Sequence, residues 1–266
     1  MRSDRQPVKV IDAHVHLGPP KYAAADAFAA ARRAEGIAGA VLVQHLGNTD
    51  NSYLAAQLAS DPSRLAAIAI VDRVDQVAGV FAAGFAGLRL APSGLAGADG
   101  VAVFDAVDEH GGIVSVTGPF DDVVSDPFRA TVRAHAQTHF RIEHVGGFQY
   151  GAADADRRQF RALLRLADEP NVSLMWSGFF VNAGSDFPHQ NTHAYLAETL
   201  AAFGSSRIMW SGSWNRADLA AGDYRREAEV VGLVTDDDAA RADILAHTAC
   251  RIFGLAPVAD QGALHV

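Results

Sequence analysis

The chain has 266 residues, 49% hydrophobic and 20% charged, with a single cysteine and a formal net charge of −9. A chain this long buries roughly 70–75% of its unfolded surface, so its core needs no disulfide or structural metal, and Cys250 alone excludes a disulfide framework or a multi-cysteine metal site. The apolar content is too high for a disordered chain, and the acidic balance argues against a nucleic-acid-binding surface.

The start, Met1 to Lys9, is polar and lacks the apolar centre of a signal peptide. Short apolar runs then alternate with longer amphipathic ones. Val8–Ala13 reads as a strand, followed by a helix over Ala23–Glu35 that stops at Gly36. Ala40–Gln44 is a second strand, and Asn51–Ser60 is a helix with Asp50 as its N-cap candidate and Pro62 beyond its end. Leu65–Val71 and Gly84–Leu90 are strands separated by a short helix around Asp75–Ala83. Val101–His110 is a helix ending at Gly111–Gly112, and Gly112–Thr117 is the fifth strand. A helix over Asp126–Thr138, a strand over Phe140–Val145, a helix over Asp154–Asp168 and a strand over Asn171–Ser177 continue the pattern. Thr192–Phe203 is a helix, Arg207–Ser211 the eighth strand, and Asp218–Val231 and Asp236–Phe253 are the closing helices, with a loose tail over Ala256–Val266. The strands are short and several are rich in Val and Ile, as in a parallel sheet buried on both faces. Eight strand–helix alternations within about 250 residues predict a (β/α)8 TIM barrel spanning the chain as one domain; a doubly wound open sheet is the alternative. No run approaches about 18 uninterrupted apolar residues, so no membrane span is expected, and the expected setting is the cytoplasm. Lysine occurs only at Lys9 and Lys21 while arginine and alanine abound, the bias of a GC-rich bacterial genome.

In such a barrel the reactive groups stand at the C-terminal ends of the strands. The chain places His14 and His16 after strand 1, Gln44 and His45 after strand 2, and Arg89 in strand 4. Ser115 and Thr117 lie in strand 5, Glu143 and His144 at the end of strand 6, and Trp176 and Ser177 at the end of strand 7. Trp210, Ser213, Trp214 and Asn215 follow in and after strand 8. His14-Val15-His16 is the sharpest signal, because residues i and i+2 of a strand share a face and two imidazoles would project together. Neutral imidazole suits zinc. Alternation is expected to turn Glu143 away from His144, towards the helices.

The Ile11-Asp12-x-His14-x-His16 opening resembles that of the amidohydrolase superfamily. More closely, the chain resembles the amidohydrolase-related branch that includes pyrone dicarboxylate lactonase and sugar lactonases, from about Val10 to Leu255. Val41-Leu42-Val43-Gln44, Gly87-Leu88-Arg89-Leu90, Glu143-His144-Val145-Gly146-Gly147 and the Trp210 to Trp214 segment carry the likeness. The resemblance implies a TIM barrel and a hydrolase acting on a small lactone or similar cyclic, carboxylate-bearing molecule. It implies His14, His16, His144 and Ser213 as catalytic positions. Gln44, His45, Arg89, Trp176, Ser177, Trp210, Trp214 and Asn215 would meet the substrate.

Three departures qualify this. Ser213 stands where the branch carries an Asp that serves as metal ligand or base, Ser115 and Thr117 replace a histidine ligand, and Met175 replaces a common Lys. His14 and His16 supply two of the roughly four ligands a zinc wants, with Asp186 or Glu143 as substitutes for the missing carboxylate. No cofactor is therefore expected, with zinc on His14 and His16 as the alternative. In the metal-free scheme the three histidines donate to the carbonyl oxygen, each worth about 2.7–4 kcal/mol, Arg89 holds a carboxylate, and His45 or His144 activates water. A decarboxylase, lyase or isomerase using the same pocket, or a catalytically silent homologue, are the alternatives. A homo-oligomer is left open.

Overall fold

The structure is a computed structural model that describes residues 9–97, 100–151, 154–212, 214 and 223–258. Its strands are β1 (Val10–Val15), β2 (Ile37–Val43), β3 (Leu65–Ala69), β4 (Gly87–Leu90), β5 (Ile113–Val116), β6 (His139–Ile142), β7 (Val172–Trp176) and β8 (Ile208–Trp210). Each pairs in parallel with its successor, in the order β1 to β8, and β8 returns beside β1. This is the (β/α)8 barrel that the alternation predicts, nearly closed.

The intervening helices are α1 (Ala25–Glu35), α2 (Ser52–Ser60), α3 (Val77–Ala82), α4 (Ala102–Glu109), α5 (Phe120–Val123), α6 (Asp126–Ala134), α7 (Asp154–Leu164), α8 (Phe179–Asn182), α9 (His193–Phe203), α10 (Asp223–Arg226), α11 (Glu229–Val234), α12 (Asp238–Ala242) and α13 (Thr248–Phe253). Gly36 closes α1 in a left-handed conformation, φ 68°, with its N–H on the Arg32 carbonyl, as glycine at a helix end permits. Among the described residues no helix is long and apolar enough to cross a membrane.

Alternation along the strands divides the core in two. Ile11, Val41, Val43, Ile68, Met175 and Met209 fill the barrel interior. Their neighbours Val10, Leu42, Leu88, Val114, Leu174 and Trp210 face the helices. Cys250 and Phe253 of α13 join the interior cluster, so the last helix packs with the barrel interior.

Several boundaries differ from the sequence reading. Asn51, not Asp50, occupies the N-cap of α2; the Asp50 carboxylate instead accepts from the Ser52 N–H at 3.0 Å. β6 stops at Ile142 because the backbone turns left-handed at His144. α6 ends at Ala134, and the closing helix passes through a π-turn at Asp243–His247. Of the segment expected as a helix over Asp218–Val231, the residues before Asp223 lie outside the described ones. The tail is not loose throughout: the Ala256 N–H donates to the Ser63 carbonyl at 2.9 Å and Val258 is buried, while the residues beyond Val258 lie outside the described ones.

Candidate active site

The two histidines of β1 enter the mouth through a bulge. Asp12 pairs with Ala40 and Val15 with Leu42, so β1 takes three steps where β2 takes two. The extra residue reverses the parity of the strand. Ala13 lies in the interior, Val15 packs against the helix layer, and His14 and His16 turn inward together. Their Nε2 atoms lie 3.2 Å apart. Asp12 supports the bulge from behind: its carboxylate accepts from the His14 N–H at 2.9 Å and from the Tyr224 hydroxyl at 2.6 Å. Burial pushes Asp12 up to about 6 against these hydrogen bonds.

Glu143 and His144 reach the same mouth by a different device. On β6, Phe140 and Ile142 face the helices and Arg141 faces inward, so alternation also brings Glu143 inward. The expectation that Glu143 faces the helices is wrong by one step of parity. His144 (φ 49°, ψ 42°) and Val145 (φ 54°, ψ 37°) then adopt the left-handed region, at about 1–2 kcal/mol each. That turn ends the alternation, so two successive side chains share the mouth. The His144 ring lies 4.9 Å from that of His14, centroid to centroid.

Glu143 is the hub of a buried network. Arg89 grips it with Nη2 2.7 Å from Oε2 and Nε 3.1 Å from both oxygens, and Ser115 Oγ donates to Oε1 at 2.5 Å. Arg141 lies 3.6 Å from the same carboxylate and donates to the Ala13 carbonyl and to Ser115. Burial alone would raise the Glu143 carboxyl, but the two guanidiniums bring it down to about 2. Burial lowers His16 and His144 to about 4, with Arg89 contributing to both, and holds His14 well below its ordinary value. The imidazoles are therefore neutral near pH 7.

The remaining expected site residues divide sharply. Ser177 Oγ lies 2.8 Å from His144 Nδ1. His45 stands at the rim, beside Lys21 Nζ at 3.4 Å and the Tyr22 ring, too peripheral to act as base at the cluster. Gln44 is buried and spends its amide on the loop after β2, donating to the Asp50 carbonyl and accepting from the His45 N–H. Trp176 and Trp210 do not wall the mouth: their parity sends them into the helix layer, wholly buried, with indole N–H groups on Thr199 Oγ1 and the Glu227 carbonyl. Trp214 is half-buried against Phe28 and Tyr224, again on the helix side. Ser213 and Asn215 lie outside the described residues. Asp186 is exposed, and His189 and His193 bond to Glu227 and the Pro188 carbonyl rather than joining the cluster. Arg141 was missed by sequence reading; its signal was the Phe-Arg-Ile-Glu alternation of β6.

A family model for amidohydrolases matches residues 11–255. The chain belongs to the amidohydrolase family. Its fold is shared by a Pseudomonas putida protein provisionally named a 2-pyrone-4,6-dicarboxylic acid hydrolase, 22% identical with a TM-score of 0.77 over 94% of this chain and 98% of that one. An Acinetobacter baumannii protein of the same provisional name, with citric acid bound, is 18% identical, TM-score 0.75, over 93% and 100%. A Burkholderia multivorans amidohydrolase with bound zinc is 22% identical, TM-score 0.75, over 93% and 99%. No protein of curated function matches the sequence.

A zinc ion in this amidohydrolase would have to draw on the donors of the mouth. His14, Glu143 and His144 offer ligand atoms within 4.8 Å of one another, and the Nε2 pair of His14 and His16 is a second candidate chelate. A zinc site needs about four donors. Here the Glu143 oxygens are already held by Arg89 and Ser115, which leaves the imidazoles without a free carboxylate beside them. Two guanidiniums beside the imidazoles also oppose a dication. The described residues fit a tightly held zinc poorly.

Proposed function

We propose that the chain hydrolyses a small lactone or similar cyclic ester bearing a carboxylate, without a resident metal. The observation that carries this reading is the charge of the mouth. Two guanidiniums, Arg89 and Arg141, face one carboxylate, Glu143, beside three neutral imidazoles. The other nearby carboxylate, Asp12, is committed to Tyr224 and the His14 backbone. The surplus positive charge favours an anionic substrate, and the provisional names of two structural neighbours designate a cyclic ester with carboxylates.

Arg89 is the group best placed for the substrate carboxylate. Its Nη1 makes only a long contact, 3.3 Å, to the Gln44 carbonyl, and a guanidinium recognises a carboxylate through paired N–H groups. The ester carbonyl then meets the imidazoles of His14, His16 and His144. An imidazole N–H aimed at the developing oxyanion lowers the barrier by about 2.7–4 kcal/mol. Water adds to the carbonyl carbon, the ring C–O bond breaks, and the leaving oxygen takes a proton. An imidazole lone pair receives the proton of the water. A lactone is a sufficiently strong electrophile for this without a Lewis acid.

A panel of carboxylated lactones scored by product mass tests the reading. The expected product carries one added water, and His14→Ala abolishes its formation. Loss of CO2 from a carboxylic acid panel, with no lactone hydrated, would replace this reading with a decarboxylase.

A further inference from the structure

His16 and His144 face one mouth, but each is held from behind by a different kind of partner. His16 Nδ1 lies 2.7 Å from the Val43 carbonyl oxygen. A carbonyl only accepts, so the proton sits on Nδ1, and the neutral ring presents Nε2 as a lone pair that accepts from His14 Nε2–H at 3.2 Å until substrate and water enter. His144 Nδ1 lies 2.8 Å from Ser177 Oγ, and a hydroxyl can donate or accept. Burial settles the direction. Ser177 is 1% exposed, and among the described residues His144 is the one hydrogen-bond partner of its hydroxyl. A buried O–H without an acceptor costs more than an oxygen lone pair left empty. The hydroxyl therefore donates to Nδ1, and the His144 proton resides on Nε2.

The contact is built rather than incidental. His144 and Val145 are left-handed, a conformation that persists in non-glycine residues only where the surroundings enforce it. Gly178 (φ 71°) lets the ring lie flat on the chain: a Cβ there would stand 3.1 Å from His144 Cβ, Cγ and Nδ1. Ser177, at the end of β7, thus meets a ring that two backbone features press against it. Lying buried beside the ring, it is poorly placed to be the substrate contact expected from the sequence.

We propose that Ser177 is a positioning residue that fixes His144 as the Nε2–H tautomer, so that His144 donates to the reacting carbonyl oxygen while His16, fixed the opposite way by Val43, acts as the proton acceptor. The division of labour rests on the lactone reading; the tautomers themselves do not. It replaces the scheme in which all three histidines donate, because a neutral His16 bound to a carbonyl has no N–H left for the mouth.

The test is 15N–1H correlation NMR of histidine-labelled protein at neutral pH, without substrate, with His16→Gln and His144→Gln assigning the signals. The expected spectrum shows His144 protonated at Nε2 and His16 at Nδ1. Ser177→Ala moves His144 to a mixture of tautomers, and Ser177→Thr, which keeps the hydroxyl, restores the wild-type form. On an active lactone, Ser177→Ala lowers kcat by about 10–100-fold with little change in KM, the scale known for metal-bound histidines that lose their orienting partner. A wild-type spectrum with His144 protonated at Nδ1 overturns the proposal whether or not Ser177→Ala folds, and an unchanged tautomer in folded Ser177→Ala overturns it as well. Failure of the lactone panel leaves the spectrum standing, so the two readings fail separately.

Discussion

Arg89 and Glu143 form a two-pronged ion pair at the barrel mouth, with Nη2 2.7 Å from Oε2 and Nε 3.1 Å from both carboxylate oxygens. Both side chains are almost wholly buried. Removing one partner of such a pair leaves a charge with no solvent and no counter-ion, which costs about 3–5 kcal/mol. Glu143→Gln is expected to lose that much in urea unfolding, since it strands Arg141 as well as Arg89.

The same carboxylate sets an acid limit. Its folded value of about 2 lies below the ordinary 4.5, so the unfolded chain binds the proton first. The contribution is fully present above pH 4.5 and is lost as pH falls through about 2. Stability measured by urea titration across that window should fall steeply in the wild type and less steeply in Glu143→Gln.

The buried histidines act in a neighbouring window. His16 and His144 are lowered from 6.5 to about 4 by burial. The unfolded chain takes up these protons between pH 6.5 and 4, so stability declines as pH drops across that range. Catalysis by the neutral rings should hold a plateau from pH 7 downward and fall only as pH approaches 4. A kcat profile that instead breaks near 6.5 would show an imidazole in ordinary surroundings.

Zinc content checks the donor-set argument directly. Protein purified from zinc-supplemented culture should hold well under the roughly one zinc per chain of a closed site, measured by elemental mass spectrometry. Ser213→Asp, which supplies the carboxylate that the sequence resemblance expects at a position outside the described residues, is expected to raise that content or the rate of lactone hydrolysis.

Gly178→Ala places a methyl group 3.1 Å from the His144 ring at a backbone φ of 71°. The left-handed strain alone costs about 1–2 kcal/mol. The variant should unfold at lower urea and, because the ring must move, lose activity by a larger factor than its stability accounts for.

Trp176→Phe separates packing from chemistry. The indole N–H donates to Thr199 Oγ1 at 3.0 Å within the helix layer. Losing that buried hydrogen bond is expected to cost about 1–3 kcal/mol and to leave KM for an active lactone unchanged. A raised KM would return Trp176 to the substrate side.

The sequence by itself determined the barrel, because eight short apolar runs alternating with amphipathic ones have few ways to bury both sheet faces. It also located the mouth, since His14-Val15-His16 at the end of the first strand names the face on which two imidazoles converge. The tertiary structure alone decided which other side chains join them. Parity along a strand is readable only where its regular run is known to end, and here a bulge in β1 and a left-handed turn at His144 each shift it by one residue. The bulge turns His14 and His16 inward, and the left-handed turn lets His144 share the mouth with Glu143. Trp176 and Trp210 are expected there because they stand at strand ends, but their parity sends both into the helix layer. The buried partners of Arg89, His16 and His144 come from strands distant in sequence. Which nitrogen carries a proton, and whether a carboxylate is free for a metal, depends on those long-range contacts, and composition and spacing do not contain them.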